Sequence, residues 1–459
     1  MHSSALRTVL AAGVASLVLL PLACRHDAEP GSDPAGPVLA LLGAVPLDPV
    51  TGRAGEPSTV LVSGDRITGI EPARTATTPP GATTVDAAGL YLLPGLWDLH
   101  THLALLDDHA PPLLVTQGVL GVRDLGAVPE EIEALRRRIE SGVLLGPRVI
   151  RAGPTLNGAP NAPHHRVIET PEEARQAVKG LASAGFDLIK THNATARDTF
   201  FALVAAAHDA GLPVAGHVPV TVTPIEACEA GLDSVEHIAT LFEGTYLAGF
   251  DDQMAAFLAM PDWLAHEAPA LADCFAAHGT LFDPTLRAYD LRAHWAAEHD
   301  DPAPEWRYLT AEQRRSWSEA QVSDVDRDEE VIRLRESLVD VGVDFVRLLA
   351  ERGAPVGAGT DIAGPGLLPG YSLHDEVRLL GRALSPPRRC ARSGPGAGRR
   401  PAAIRCRVGW WPARRRIWCS CAGTRSRTWR RSTRSTASCS GGSGWIEGSW
   451  IACWRGWHR

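Results

Sequence analysis

Six residues able to hold or bridge metal ions are scattered through the chain at regular structural intervals. His100 and His102 stand two apart in "WDLHTHL", Lys190 closes "FDLIK", His217 lies in "VAGHVP", His237 in "SVEHIAT" and Asp361 in "GAGTDIAG". Side chains of a strand repeat every two residues, so the imidazoles of His100 and His102 point to one face and can reach one ion. With 17 histidines in the chain, that pair alone is weak support. The full set is stronger, because imidazoles and a carboxylate converging on one rim are the donors of a hydrolytic metal site. Lys190 poses a separate question: only Lys179 and Lys190 are lysines among 45 basic residues. Lys179 sits in a polar helical pattern, whereas Lys190 ends an apolar run, where a buried ammonium is costly unless neutralised or paired.

The elements that must position these residues read as strand and helix in alternation. Short apolar runs near 95–102, 119–125, 148–153, 186–191, 213–218, 233–238, 280–284 and 355–361 alternate with helical segments such as "TPEEARQAVKGLASAG". Those helices open on Thr or Pro with acids in the first turn and stop at Gly. Eight strands with helices between them predict an α/β fold, a (β/α)8 TIM barrel over 92–385, whose reactive groups lie at the carboxyl ends of the strands. Residues 286–345, rich in Trp and charge, form a helical insertion in it. Residues 37–91 predict a small β-sandwich-like domain, with two short strands around a Gly64-Asp65 turn in "STVLVSGDRITGI".

These residues carry a resemblance to metal-dependent hydrolases of the amidohydrolase superfamily, in the subgroup of periplasmic Xaa-Pro dipeptidases and imidazolonepropionase-like proteins. It covers about 38–384 and includes "GLYLLPGLWDLHTHL", "GVRDLG", the ordered Lys, His, His and Asp, and "YSLHDEV". The resemblance implies two divalent ions: His100, His102 and Asp361 on one, His217 and His237 on the other, bridged by hydroxide and an N6-carboxylated Lys190. Chemistry agrees on the lysine. A neutral amine adds carbon dioxide to give an anionic carbamate, and burial beside cations supplies that neutral amine, which arginine cannot do. Zinc is the default metal, with manganese, cobalt and iron as alternatives.

The implied reaction is hydrolysis of an amide-type C–N bond in a small molecule. Metal ions make hydroxide available near neutral pH and polarise the carbonyl, and Asp361 acts as general acid and base. A dipeptide, an N-acyl amino acid and a cyclic amide all remain open as substrates. The loop "GPTLNGAPNAPHHRVIET" and the continuation "THNATARD" depart from the dipeptidase pattern, so His165, His192 and Asn193, with His164, are the candidate substrate contacts. Asp98 has either an orienting or a structural role, and Arg123 reads as structural. The competing readings are a mononuclear deaminase, in which Lys190 has no task, and a catalytically inactive relative acting as a binding protein.

Both ends of the chain differ from its body. "MHSSALRTVLAAGVASLVLLPLAC" has Arg7 before an apolar run and small Ala23 before Cys24, an export signal over 1–24 followed by a linker over 25–36. The expectation is a periplasmic protein, or a lipoprotein held to the membrane through Cys24. From 386 to 459 seventeen arginines face the single acid Glu447, and eight of the 13 tryptophans and six of the nine cysteines are here. Such a tail suits nucleic acid or an anionic membrane by charge alone. Its tryptophan and cysteine content, with no helix or strand period, reads better as a G+C-rich gene translated out of frame, leaving no nucleic-acid partner. Oligomeric state is not legible.

Overall fold

The computed structural model describes residues 38–49, 52–64, 66–242, 250–384 and 452–455, without side-chain surroundings at 250–257 and 452–455. The export signal, the linker and the tail apart from its strand at 452–455 lie outside the described residues.

The amino-terminal strands are β1 (Val38–Pro46), β2 (Ser58–Ser63), β3 (Arg66–Pro72), β4 (Thr83–Asp86) and β5 (Leu90–Leu93). β1 and β2 pair antiparallel, as do β2 and β3, the latter through a turn that Gly64 enters at φ 55°. Leu41, Ala44, Val60, Val62, Ala87 and Leu92 make the small core of this sheet. A strand at Ala452–Arg455 pairs antiparallel with β5.

From Leu96 the architecture is parallel α/β. β6 (Leu96–Thr101), β7 (Val119–Asp124) and β8 (Arg148–Arg151) form one parallel sheet. The second contains β9 (Thr155–Asn157), the short β10 (His165–Val167), β11 (Ile189–Thr191), β12 (Val214–Gly216), β13 (Ser234–Glu236) and β14 (Leu281–Asp283). Neither β9 nor β10 was expected from the sequence. β8 and β9 follow one another in the chain, separated at Gly153, whose φ is 74°. Backbone bonds from the segment 355–362 join the two sheets. Phe282 N donates to Pro355 O, Gly357 N to Phe282 O, and Leu99 N to Ala358 O. Thr101 and Ile362 form a parallel bridge. The arrangement is TIM-barrel-like.

Local chemistry explains the helices between the strands. Thr170 caps the helix Pro171–Ser183 in a capping box with Glu173, and Thr223 caps Pro224–Glu229 with Glu226 in the same way. The long helix Glu329–Arg352 starts on the Asp328 carboxylate and ends at Gly353, φ 76°. It buries Leu338, Val341, Val343, Phe345, Val346 and Leu349 against the shared core. The stretch between β14 and the segment 355–362 is helical, with Leu286–Asp300 and Ala311–Ser318 ahead of that long helix. A disulfide joins Cys228 to Cys274 across the helices Pro224–Glu229 and Ala268–His278. No helix among the described residues is long and apolar enough to cross a membrane.

Candidate metal centre

Strand geometry brings the ordered set together. His100 lies in β6, Lys190 in β11, and His217, His237 and Asp361 follow β12, β13 and the segment that pairs with β14. One ligand atom from each of His100, His237 and Asp361 lies within 4.8 Å of the others. His102 joins them, its Nε2 3.4 Å from Asp361 Oδ1, the same distance as His100 Nε2. This grouping puts His237 beside His100 and Asp361, across the division into two ion sites that the family resemblance implies. His217 stacks on His192 at 4.0 Å between ring centroids and meets the edge of His237 at 4.8 Å.

The imidazoles form a closed circuit. His100, His102, His164, His165, His192, His217 and His237 follow one another at centroid distances between 4.0 and 5.6 Å, and His237 returns to His100 at 4.5 Å. His164, His165 and His192 therefore share a wall with the central residues. Asn193, buried, leaves its side-chain oxygen without a hydrogen-bond partner. His165 faces the Asn157 amide at 3.3 Å.

Second partners orient the ligand imidazoles. His100 Nδ1 donates to Glu236 Oε2 at 2.9 Å, and His102 Nδ1 donates to the Gly126 carbonyl at 2.9 Å. With Nδ1 as the donor in both rings, each Nε2 presents its lone pair to the centre. His237 Nδ1 meets the Thr285 hydroxyl at 2.7 Å. Glu236 is fixed in turn by Arg123, whose Nη2 donates to Oε1 at 2.6 Å while its Nε bonds the Leu99 carbonyl. Arg123 is thus structural in a particular sense: it holds the carboxylate that holds His100. Asp98 ties β6 to the segment before Asp361, accepting from Thr360 N at 3.0 Å and from the Thr360 hydroxyl at 2.6 Å. Sequence reasoning passed over Glu236 and Thr285. The available signal for Glu236 was an acid next to His237 inside an apolar strand.

Electrostatics fit a site built for cations other than protons. Burial, with the neighbouring Lys190 charge, holds His100 and His217 well below the usual imidazole range. Burial lowers His237 to about 4, His164 to about 4 and His192 to about 3. Burial also opposes the charged form of His102, but the Asp361 carboxylate outweighs it and raises that group. Burial alone would raise Asp361, yet His100, His237 and His102 hold it below the carboxylate range. Lys190 is 2% exposed, and burial brings its ammonium down to about 8 against the partial support of Glu236 and Asp361.

The residues present suit divalent metal. His100 Nε2 and Lys190 Nζ are both buried and make no hydrogen bond. A buried polar atom left without a partner costs about 1–3 kcal/mol, and a metal ion or a metal-bridging carbamate would remove that cost. Backbone strain gathers at the same place. Among the described residues, the non-glycine positions with positive φ are His237 at 68°, Thr285 at 47° and Asp361 at 58°. Such strain persists only where the surroundings enforce it, and it clusters at functional sites.

No family model matches the chain. A curated imidazolonepropionase from Rubrobacter xylanophilus is 36% identical over 138 residues, covering 28% of this chain and 28% of that protein. The chain therefore spans little more than a quarter of the length of the curated relative it matches. Among solved structures, a bottromycin amidohydrolase superposes with TM-score 0.60 at 25% identity, over 75% of this chain and 73% of that one. A putative prolidase from Bifidobacterium longum gives 0.53 at 24% identity over 75% and 78%, which speaks for the fold.

Proposed function

We propose that the chain is a metal-dependent hydrolase of the amidohydrolase superfamily that cleaves an amide-type C–N bond in a small molecule, a reading supported by its likeness to an imidazolonepropionase and a bottromycin amidohydrolase. The observation that carries this is the convergence of His100, His237 and Asp361 within 4.8 Å around a rim where Lys190 Nζ and His100 Nε2 are buried without hydrogen bonds. In this reading β6, β7, β8 continued by β9, β11, β12, β13, β14 and the segment 355–362 make one eight-stranded barrel, with β10 added outside it on β9. His100, His102, His217, His237 and Asp361 would hold two divalent ions, zinc by default, with Lys190 carboxylated as the bridging ligand. When bound, such ions lower the pKa of water and polarise a carbonyl.

The chain's own residues account for the proton. Asp361, its side chain one-third exposed beside two imidazoles, is the carboxylate in the cluster that solvent and substrate reach. It accepts the proton released as water oxygen adds to the carbonyl carbon, and delivers it to the nitrogen as the C–N bond breaks. Glu236 and Arg123 keep His100 in one tautomer throughout. His165, His192 and Asn193 form the wall against which the substrate lies. The names of the relatives, imidazolonepropionase and bottromycin amidohydrolase, support hydrolysis of an amide-type C–N bond. Export is the companion proposal, and the Cys228–Cys274 disulfide supports it, since such bonds persist in oxidising compartments.

The test is metal analysis alongside hydrolysis of dipeptides, N-acyl amino acids and cyclic amides by the full chain and its Lys190→Ala variant. About two ions per wild-type chain, with metal and turnover lost together in the variant, is the expected result. Unchanged metal content and rate in Lys190→Ala would sink the bridging role. Metal without turnover on every amide would favour the inactive relative.

A further inference from the structure

The loops that carry two of the central residues also line a cavity. Leu106 stands four positions beyond His102, and Ala363 and Gly364 stand two and three positions beyond Asp361. All three border a space of about 440 Å³, open to solvent. Two chain steps separate Cα atoms by at most about 7 Å and four by at most about 14 Å, so this wall of the cavity stands within the length of a small molecule of the metal centre. Tyr308, Leu309 and Trp317 close the cavity from the other side. They come from the helical stretch between β14 and the segment 355–362.

That far wall is built to keep its shape. Trp306 and Trp317, each 8% exposed, meet edge to face at 5.1 Å and form with Leu309 and Leu368 a small core of their own. Tyr308 stacks on Tyr371 at 5.7 Å, and its hydroxyl accepts from Arg307 Nη2 at 2.9 Å, yet Tyr308 remains 44% exposed. An aromatic side chain that is held in place and left open beside a cavity is a binding surface, because a ligand laid against it takes apolar area out of water.

Polar residues at the cavity already have partners. Gln313 Oε1 accepts from Thr310 N at 3.0 Å as half of a capping box, and Asp107 Oδ1 accepts from His109 N at 3.0 Å. What remains for a ligand is the apolar lining of Leu106, Leu113, Leu309 and Leu367 with the rings of Tyr308 and Trp317. The group that matches such a lining is a hydrocarbon rather than a charge.

We propose that this cavity is the specificity pocket of the centre and receives a bulky apolar side group of the substrate, aromatic or branched. The reacting carbonyl then lies among His100, His237 and Asp361, and the wall of His165, His192 and Asn193 holds the other end of the molecule. This assignment rests on the hydrolase reading and adds a substrate class to it: amides that carry such a group, in preference to those with hydrogen or methyl in its place. Gly364 offers a way to fill the pocket. Its backbone is outside the left-handed region and a Cβ added there meets nothing within 4 Å, so a side chain at 364 grows into open space.

The test uses two metal chelators on the zinc-loaded full chain, acetohydroxamate and 3-phenylpropanohydroxamate, with dissociation constants from titration calorimetry. Burial of the phenylethyl tail should make the second bind at least about 10-fold more tightly. Gly364→Phe, which fills the cavity, and Tyr308→Ala, which removes an exposed part of its wall, should each bring that ratio towards one, and a fall in either supports the pocket. Equal affinity of the two chelators for wild type, or a ratio that both variants leave intact, overturns the pocket and leaves the metal centre standing. Failure of both chelators to bind wild type overturns the hydrolase reading and the pocket with it.

Discussion

His237 Nδ1 lies 2.7 Å from the Thr285 hydroxyl, and both residues hold positive φ. Each such conformation costs on the order of 1–3 kcal/mol, so the backbone is held there by its partners. His237 N donates to Asp283 O at 2.8 Å, and Ile238 N to Pro284 O at 3.1 Å. The Thr285 hydroxyl then decides which nitrogen of His237 faces the centre. Thr285→Val keeps the shape and removes that bond, with an expected loss of about 10–100-fold in metal affinity. Thr285→Ser should retain it. Titration calorimetry with zinc on the three chains separates these outcomes, and equal affinity of the valine variant would refute the orienting role.

Gly359 is required by close approach. A Cβ there would stand 2.6 Å from His100 Cβ and 2.7 Å from His100 N, which cannot yield without moving β6. Gly359→Ala should therefore reduce metal per chain and destabilise by about 1–3 kcal/mol. Gly364→Ala is the control, because nothing lies within 4 Å of its Cβ position. Elemental analysis and thermal melts of both variants check this, with the control expected to match wild type.

The strand ends were legible because a buried parallel strand leaves a short apolar run, and a polar residue closing such a run stands out. Lys190 stood out further through the scarcity of lysine. The partners that orient the site were not legible, because they are contacts of long range between residues ordinary in type. Arg123 reaches Glu236 across 113 positions, and Thr285 meets His237 across 48. No local period reports such a meeting. The Cys228–Cys274 bond escaped for the same reason, two cysteines on separate helices with nothing local to mark them. β9 and β10 escaped because each is three residues long and mixes polar with apolar side chains, so neither leaves an apolar run.

That disulfide closes a loop of 46 residues, and Cys228 is fully buried. A cross-link of this span is worth about 2–4 kcal/mol, chiefly through the unfolded chain. The paired variant Cys228→Ala and Cys274→Ala should unfold at correspondingly lower denaturant. Wild type measured in reductant should fall to near the same midpoint. A wild-type midpoint indifferent to reductant would show that the bond contributes nothing.

Glu376 gives the chain a pH dependence whose sign can be worked out. It is fully buried, and its Oε2 accepts from Arg287 N at 2.6 Å. Burial, reinforced by the Asp98 and Asp290 charges, pushes its carboxyl up to about 8 from 4.5. Between those values the folded chain keeps a proton that the unfolded chain releases, so stability falls as pH rises through the window. The loss is complete above about pH 8 and amounts to a few kcal/mol, since each pH unit crossed inside the window removes about 1.4 kcal/mol. Asp98, raised to about 7, and Asp124, raised to about 6, slope the same way, so the difference between two chains isolates Glu376. Glu376→Gln keeps an acceptor for Arg287 N and has no proton to lose. Thermal melts from pH 5 to 9 should show the variant close to wild type at pH 5 and increasingly more stable above it. A gap that is constant across the range, or that favours wild type at pH 9, would mean that Glu376 is not protonated in the folded chain.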